Sequence, residues 1–257
     1  MSKFIAPALF ISHGSPMRVT QNSEANRFLR QLPNQFEIPR GIVIISAHWE
    51  TETLQISSQE YFSTIHDFWG FPDELHRITY GAQGPIWLQQ LVSETVASGG
   101  FPVETNDRGL DHGAWSVLQL MYPQKDVPVG LLSLPRAYDL KQLYHLGESL
   151  QILREQGIMV IASGSTTHNL SMLALNGAPD DWAQQFVAWL QYKLIKKEIK
   201  NLFEYRRQAP SAVIAHPSDE HLRPLFIAMG AGANTSPQLI HDSWELKNMN
   251  NSSWAWL

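Results

Sequence analysis

The sequence predicts an α/β sandwich: a central sheet, mainly parallel or mixed, flanked by helices. Three observations carry this. Short β-branched apolar runs recur along the 257 residues, each closed by Gly, Pro or polar residues. Helical periodicities lie between them. No linker-like, repeated or low-complexity stretch interrupts the alternation, so one domain is expected over residues 1–257.

The strand runs are Ala8-Leu9-Phe10-Ile11, Ile42-Val43-Ile44-Ile45, Val127 to Leu134 and Ile158-Met159-Val160-Ile161. Each is too short for a helix and apolar throughout, as strands covered on both faces are. Ala212 to Ala215 reads as a fifth, weaker strand. Among the helices, Pro85 to Ser98 opens on proline, repeats apolar residues at Trp87, Leu88, Leu91, Val92 and Val96, and stops at Gly99-Gly100. Asp139 is placed to cap a helix bearing Leu143, Leu146, Leu150 and Leu153 that ends at Gly157. The longest runs from Asp180 to Lys200, with an apolar stripe from Trp182 to Ile195. Its basic stretch, Lys193 to Lys200, is the solvated face.

Composition removes several function classes. Nineteen basic against 24 acidic side chains give a net charge of -5, which lacks the basic excess a nucleic-acid surface needs. With no cysteine, disulfides, Cys-ligated zinc, iron–sulfur clusters and thiol catalysis are all excluded. No apolar run approaches the roughly 20 residues that span a bilayer. The start, MSKFIAPALFISHGSP, reads as the first strand of a mature cytoplasmic protein rather than as a signal peptide.

The ten histidines are the informative residues. His13 follows LFIS, His48 follows VIISA, His168 lies just past VIASG, and His216 follows AVIA with His221 five residues on. In open α/β sheets ligands bind outside the carboxyl ends of the strands, so four strand ends would deliver histidines to one edge. His66, His76, His145 and His241 lack that setting. Imidazole suits zinc, copper, iron or nickel rather than calcium or magnesium, and three ligands with open positions indicate catalysis. HExxH, P-loop, GxGxxG and GxSxG motifs are absent. Gly164-Ser165-Thr166-Thr167 has the composition of a small anion nest.

Six blocks extend this reading: SHGSPM (12–17), SAHWET (46–51), FWGFPDEL (68–75), LDHGAWSVL (110–118), SGSTTHNL (163–170) and HPSDEHLRPL (216–225). In this order they resemble the class III extradiol ring-cleavage dioxygenases, most of all the 4,5-DOPA dioxygenase-like branch, over most of the chain. The resemblance implies a single catalytic domain folded like the catalytic subunit of protocatechuate 4,5-dioxygenase. It also implies one divalent metal, a catechol substrate and O2, with Fe(II) for activity and Zn(II) able to occupy the site on isolation. By resemblance, His13 and His48 match the first two metal ligands and His221 the third, with His216 or Glu220 competing. His168 matches a fourth ligand or the acid/base residue, and His112 an active-site histidine facing substrate.

Charge balance adds that three neutral imidazoles favour an anionic, bidentate substrate. His168 is assigned as the base, and His112 to stabilise charge developing on oxygen or to move a proton. The aromatic loop His66 to Pro72 is expected to cover the pocket through Phe68 and Phe71. Trp49 and His216 are expected to contact substrate, and Arg136 and Arg223 to pair with a substrate carboxylate. Two rivals use the same residues: a zinc hydrolase with Glu220 as base, and a binding protein without chemistry.

Overall fold

The computed structural model describes residues 5–257. Met1–Phe4, the start of the segment read as leading into the first strand, lie outside the described residues. Eight strands form one mixed sheet: β1 (Ala8–Ser12), β2 (Gly41–Thr51), β3 (Gln55–Ser57), β4 (Glu104–Asn106), β5 (Val129–Pro135), β6 (Ile158–Gly164), β7 (Pro237–His241) and β10 (Ser253–Trp256). Between the last two, β8 (Trp244–Glu245) and β9 (Met249–Asn250) make a separate hairpin-like pair. The order across the sheet is β4-β3-β5-β2-β6-β1-β10-β7. β5, β2, β6 and β1 are mutually parallel, while β10 joins β1 antiparallel and carries β7 on its far side.

The four strongest strand runs form this parallel centre because both their faces are covered. Leu9, Ile11, Ile42, Ile44, Met159 and Ile161 point to one core, shared with the helix His112–Met121. Ala8, Phe10, Val43, Ile45, Val160 and Ala162 alternate to the other, beneath Leu140–Ser149, Asp181–Ile195 and Arg223–Ala231. The period of two assigns neighbours to opposite faces. Asp139 caps its helix with a full capping box closed by Gln142.

Three readings of the sequence are corrected. Ala212–Ala215 is a single helical turn, not a strand. Alanine is the best helix former, and a four-residue run offers no periodicity to oppose it. His216 therefore follows a helix, and only three strands deliver histidines to the edge. The long helix stops at Ile195, where Lys197 turns left-handed (φ 53°), and resumes as Ile199–Phe203. The helix from Asp139 likewise breaks at Leu150 before Gln151–Glu155.

The Trp-rich end packs on its own sheet: Trp254 and Trp256 are buried in β10. Arg154, which drew no attention in the sequence, fixes that end. Its buried guanidinium donates to the carbonyls of Ala6, Ala231 and Trp256, each at 2.7 Å. Arg154→Leu would leave three buried acceptors unpaired and is expected to cost about 3 kcal/mol or more. Urea unfolding measures this, and an unchanged midpoint would mean that the clamp contributes nothing.

Candidate metal centre

At the carboxyl edge of β1, β2 and β6, four histidine rings crowd around one point. His13 extends β1 by one residue, its N–H donating to Gly164 O at 3.0 Å. His48 lies inside β2, where the register with β5 shifts between Ile45 and Glu50. Such irregularities re-aim a side chain, and this one turns His48 toward His13. His112 begins a helix capped by Asp111, whose side chain accepts from Ala114 N. His221 comes from the loop before Arg223–Ala231, laid directly on β6: Gly164 has no side chain, and a Cβ there would run into the His221 carbonyl.

The Nε2 atom of His48 is 3.1 Å from His13 Nε2 and 3.2 Å from His221 Nε2. Ligands ~2.1 Å from one ion at octahedral or tetrahedral angles lie about 3.0–3.4 Å apart, so the spacing matches a shared cation. The outer nitrogens fix the tautomers. The Ser163 hydroxyl spends its only proton on Gly113 O (2.5 Å) and so accepts from His13 Nδ1 at 2.9 Å. His221 Nδ1 donates to Glu220 Oε1 at 2.8 Å, and His48 Nδ1 faces Asp67 Oδ2 at 3.3 Å. With the protons on Nδ1, the three Nε2 atoms meet as bare lone pairs, which repel unless a cation lies between them. The donor set therefore fits a divalent metal of the imidazole-preferring kind.

Burial keeps these rings neutral. It pushes His13 and His221 well below the usual imidazole range, reinforced for both by the neighbouring histidines. His48 is lowered by burial and then by His112. His168, also lowered by burial, falls to about 4. Asp67 moves the other way from what its burial alone would give: the hydrogen bonds it accepts from the His112 ring and backbone, with the nearby His48 ring, hold it at about 2.

His112 has the same outward anchoring, its Nδ1 2.8 Å from Asp67 Oδ1. Ligand atoms of His13, His48 and His112 all lie within 4.8 Å of one another. The His112 and His48 rings, however, pack with centroids only 4.0 Å apart, tighter than the 4.8–5.3 Å among His13, His48 and His221. His168 stacks on His221 at 3.4 Å and 12°, with its Nδ1 3.8 Å from Glu220. Glu220 thus stands behind His221 rather than at the convergence point.

A cavity of about 850 Å³ opens over these rings, lined by His13, His48, His112 and His168 and walled in part by Phe68 and Phe71. Of the aromatic loop, Asp67, Phe68, Trp69 and Phe71 line it. Other expected contacts are not brought there. His216 is fully buried between Phe186 and Tyr205, with Nε2 2.8 Å from Thr166 O. Trp49 is a core residue, 3% exposed. Arg136 and Arg223 line a separate groove, where Arg223 donates to backbone carbonyls of Pro135 and Tyr138. In the supposed anion nest the N–H groups of Ser165 and Thr166 bond His221 O and Ser12 Oγ, and the hydroxyls of Ser165 and Thr167 are donated to Thr167 O and Asn248 O.

Sequence reasoning passed over Asp67, Ser163 and Gly113. Gly113 is where a helix touches the site: a Cβ there would lie 2.5 Å from Ser46 Oγ and 2.9 Å from His48 Cδ2. Gly113→Ala should suit the helix yet displace His48. A loss of about 10–100-fold in metal affinity is expected, read by competition with a chelator. Unchanged affinity would show that this approach does not position the ring.

Comparison with known proteins places these features in context. The family described as the catalytic LigB subunit of aromatic ring-opening dioxygenase matches residues 7–256. A protein of Beta vulgaris named 4,5-DOPA dioxygenase extradiol is 38% identical over 253 residues, 94% of this chain and 92% of its own. One of the same name from Escherichia coli (strain K12) is 34% identical, covering 93% and 90%. The crystal structure of an uncharacterized protein from Escherichia coli K12 superposes with a TM-score of 0.82 at 29% identity, covering 97% of this chain and 99% of that one.

Proposed function

The chain belongs to the family of the catalytic LigB subunit of aromatic ring-opening dioxygenases, extradiol oxidoreductases, and from that membership we propose that it opens the ring of a DOPA-like catechol with O2 at one Fe(II). The proposed ligands are His13, His48 and His221. The observation that carries this reading is the approach of the His13 and His221 Nε2 atoms to that of His48, at 3.1 and 3.2 Å, beside the cavity that His13 and His48 line, with each Nδ1 turned to an outer oxygen.

Iron, when bound, supplies the positive charge that acidifies the two hydroxyls and the redox capacity that dioxygen chemistry requires; zinc supplies only the first. The remaining work belongs to side chains. His168 faces the cavity as a neutral imidazole with Glu220 behind it, so a proton taken from a substrate hydroxyl is stabilised by a carboxylate 3.8 Å away. His112, held by Asp67 through both its backbone N–H and its Nδ1, turns Nε2, the nitrogen left without a proton, to the substrate side and is assigned to accept and pass on a proton there. Phe68 and Phe71 offer apolar walls for a planar ring and exclude water.

Two results test the assignment. Labelled dioxygen should appear as both new oxygen atoms of the ring-opened product; a single labelled atom would contradict it. His221→Ala should lose bound iron while His112→Ala keeps it, and the reverse pattern would make His112 the third ligand.

A further inference from the structure

Between β8 and β9 the chain turns through Leu246, Lys247 and Asn248, closed by the pair Glu245–Met249. Leu246 and Lys247 both lie in the left-handed region, at φ 47° and 65°. That region suits glycine or asparagine, and a leucine there is strained. Such a conformation persists only where the surroundings over-determine it. Here they do. The buried Asn248 donates its amide to Met172 O and Asp180 Oδ2, and its side-chain oxygen accepts from Asp180 N. Its carbonyl takes the Thr167 hydroxyl. Lys247 pairs with Asp180 at 2.6 Å, and the Leu246 carbonyl accepts from Ala174 N.

The strained leucine adds nothing to the core. Leu246 belongs to neither of the two hydrophobic clusters that cover the sheet, nor to the half-buried residues packed on them, whereas Trp244 packs on one. Its own half-buried side chain lines the cavity over the histidines. At about 850 Å³ that cavity is near the upper end of the ~300–1,000 Å³ range of small-molecule sites, so a bare catechol leaves most of it unfilled. Ser15, Gln21 and Ser23 line it as well, which gives room for a polar head group beyond an apolar link.

Resting on the ring-opening reading above, we propose that Leu246 is a specificity-determining residue. With the diol held at the metal centre, its side chain is the wall against which the aliphatic part of the substrate's ring substituent lies. The left-handed turn is what aims it there.

Leu246→Asn relaxes the turn and removes the wall, so it separates a binding role from a structural one. Calorimetric titration of zinc-loaded, redox-inert protein with catechol and with DOPA reads the effect. The unaltered protein is expected to bind DOPA about 10-fold tighter than catechol, and Leu246→Asn to lose about 10-fold for DOPA alone. Leu246→Met, which keeps an apolar wall, should hold DOPA within about twofold of the unaltered protein. Without ligand, the melting temperature of Leu246→Asn should hold or rise by about 2 °C, with metal content unchanged. A fall in melting temperature would make the leucine structural and overturn the proposal. So would equal loss for catechol and DOPA, or no preference for DOPA in the unaltered protein. Binding of DOPA to the zinc form that depends on Leu246, with no turnover in the iron form, would count against ring opening and leave the assignment of Leu246 standing.

Discussion

Protein carrying His48→Ala is expected to lose metal affinity by at least ~100-fold, more than the 10–100-fold typical of a lost outer-sphere partner. His48 is the hub of the centre: its Nε2 is the atom that lies within 3.2 Å of both His13 and His221. Without it the two remaining imidazoles are no longer bridged, and two ligands hold an ion poorly. The fold should persist, because His48 lies at the sheet edge and the core residues of β2, Ile42 to Ile45, precede it. Metal analysis after dialysis, beside far-ultraviolet circular dichroism, checks both halves. Full metal content in a folded His48→Ala protein would remove this site from consideration.

The second large effect is expected from His168→Ala, which should retain iron and lose about 10²–10⁴-fold in turnover, the range for a positioned general base. Its ring lies flat on His221 at 3.4 Å and lines the cavity, where it can receive a proton from substrate. Glu220 accepts from His221 and faces His168, so one carboxylate would steady the proposed ligand and the proposed base together. Loss of iron in this variant would make His168 a ligand, and wild-type turnover would exclude it from the chemistry.

Much of this architecture was legible in the chain. The runs at 8–11, 42–45 and 158–161 could only be strands buried on both faces, and the histidines after them share an edge because parallel strands end on the same side. What escaped the sequence has physical reasons. Ala212–Ala215 is too short to show a period, so its helical turn, and with it the inward turn of His216, could not be read. β10 joins the sheet antiparallel to β1, a partner remote in sequence, and β7 is carried on β10, while Pro237–His241 is only partly buried. Asp67 and Ser163 matter through the second nitrogen of a histidine, a relation with no sequence spacing. Gly113 had a local signal, a glycine one residue past an Asp-capped helix start, but its neighbours His48 and Ser46 come from another strand.

Oxygen uptake tests the central claim most directly. Protein stripped of metal, reloaded without oxygen with either Fe(II) or Zn(II), would be mixed with catechols in an oxygen electrode. The account predicts consumption of oxygen with a yellow ring-opened product in the iron form alone. An iron-loaded protein that binds catechols yet consumes no oxygen, or a zinc form equally active without oxygen, would contradict it.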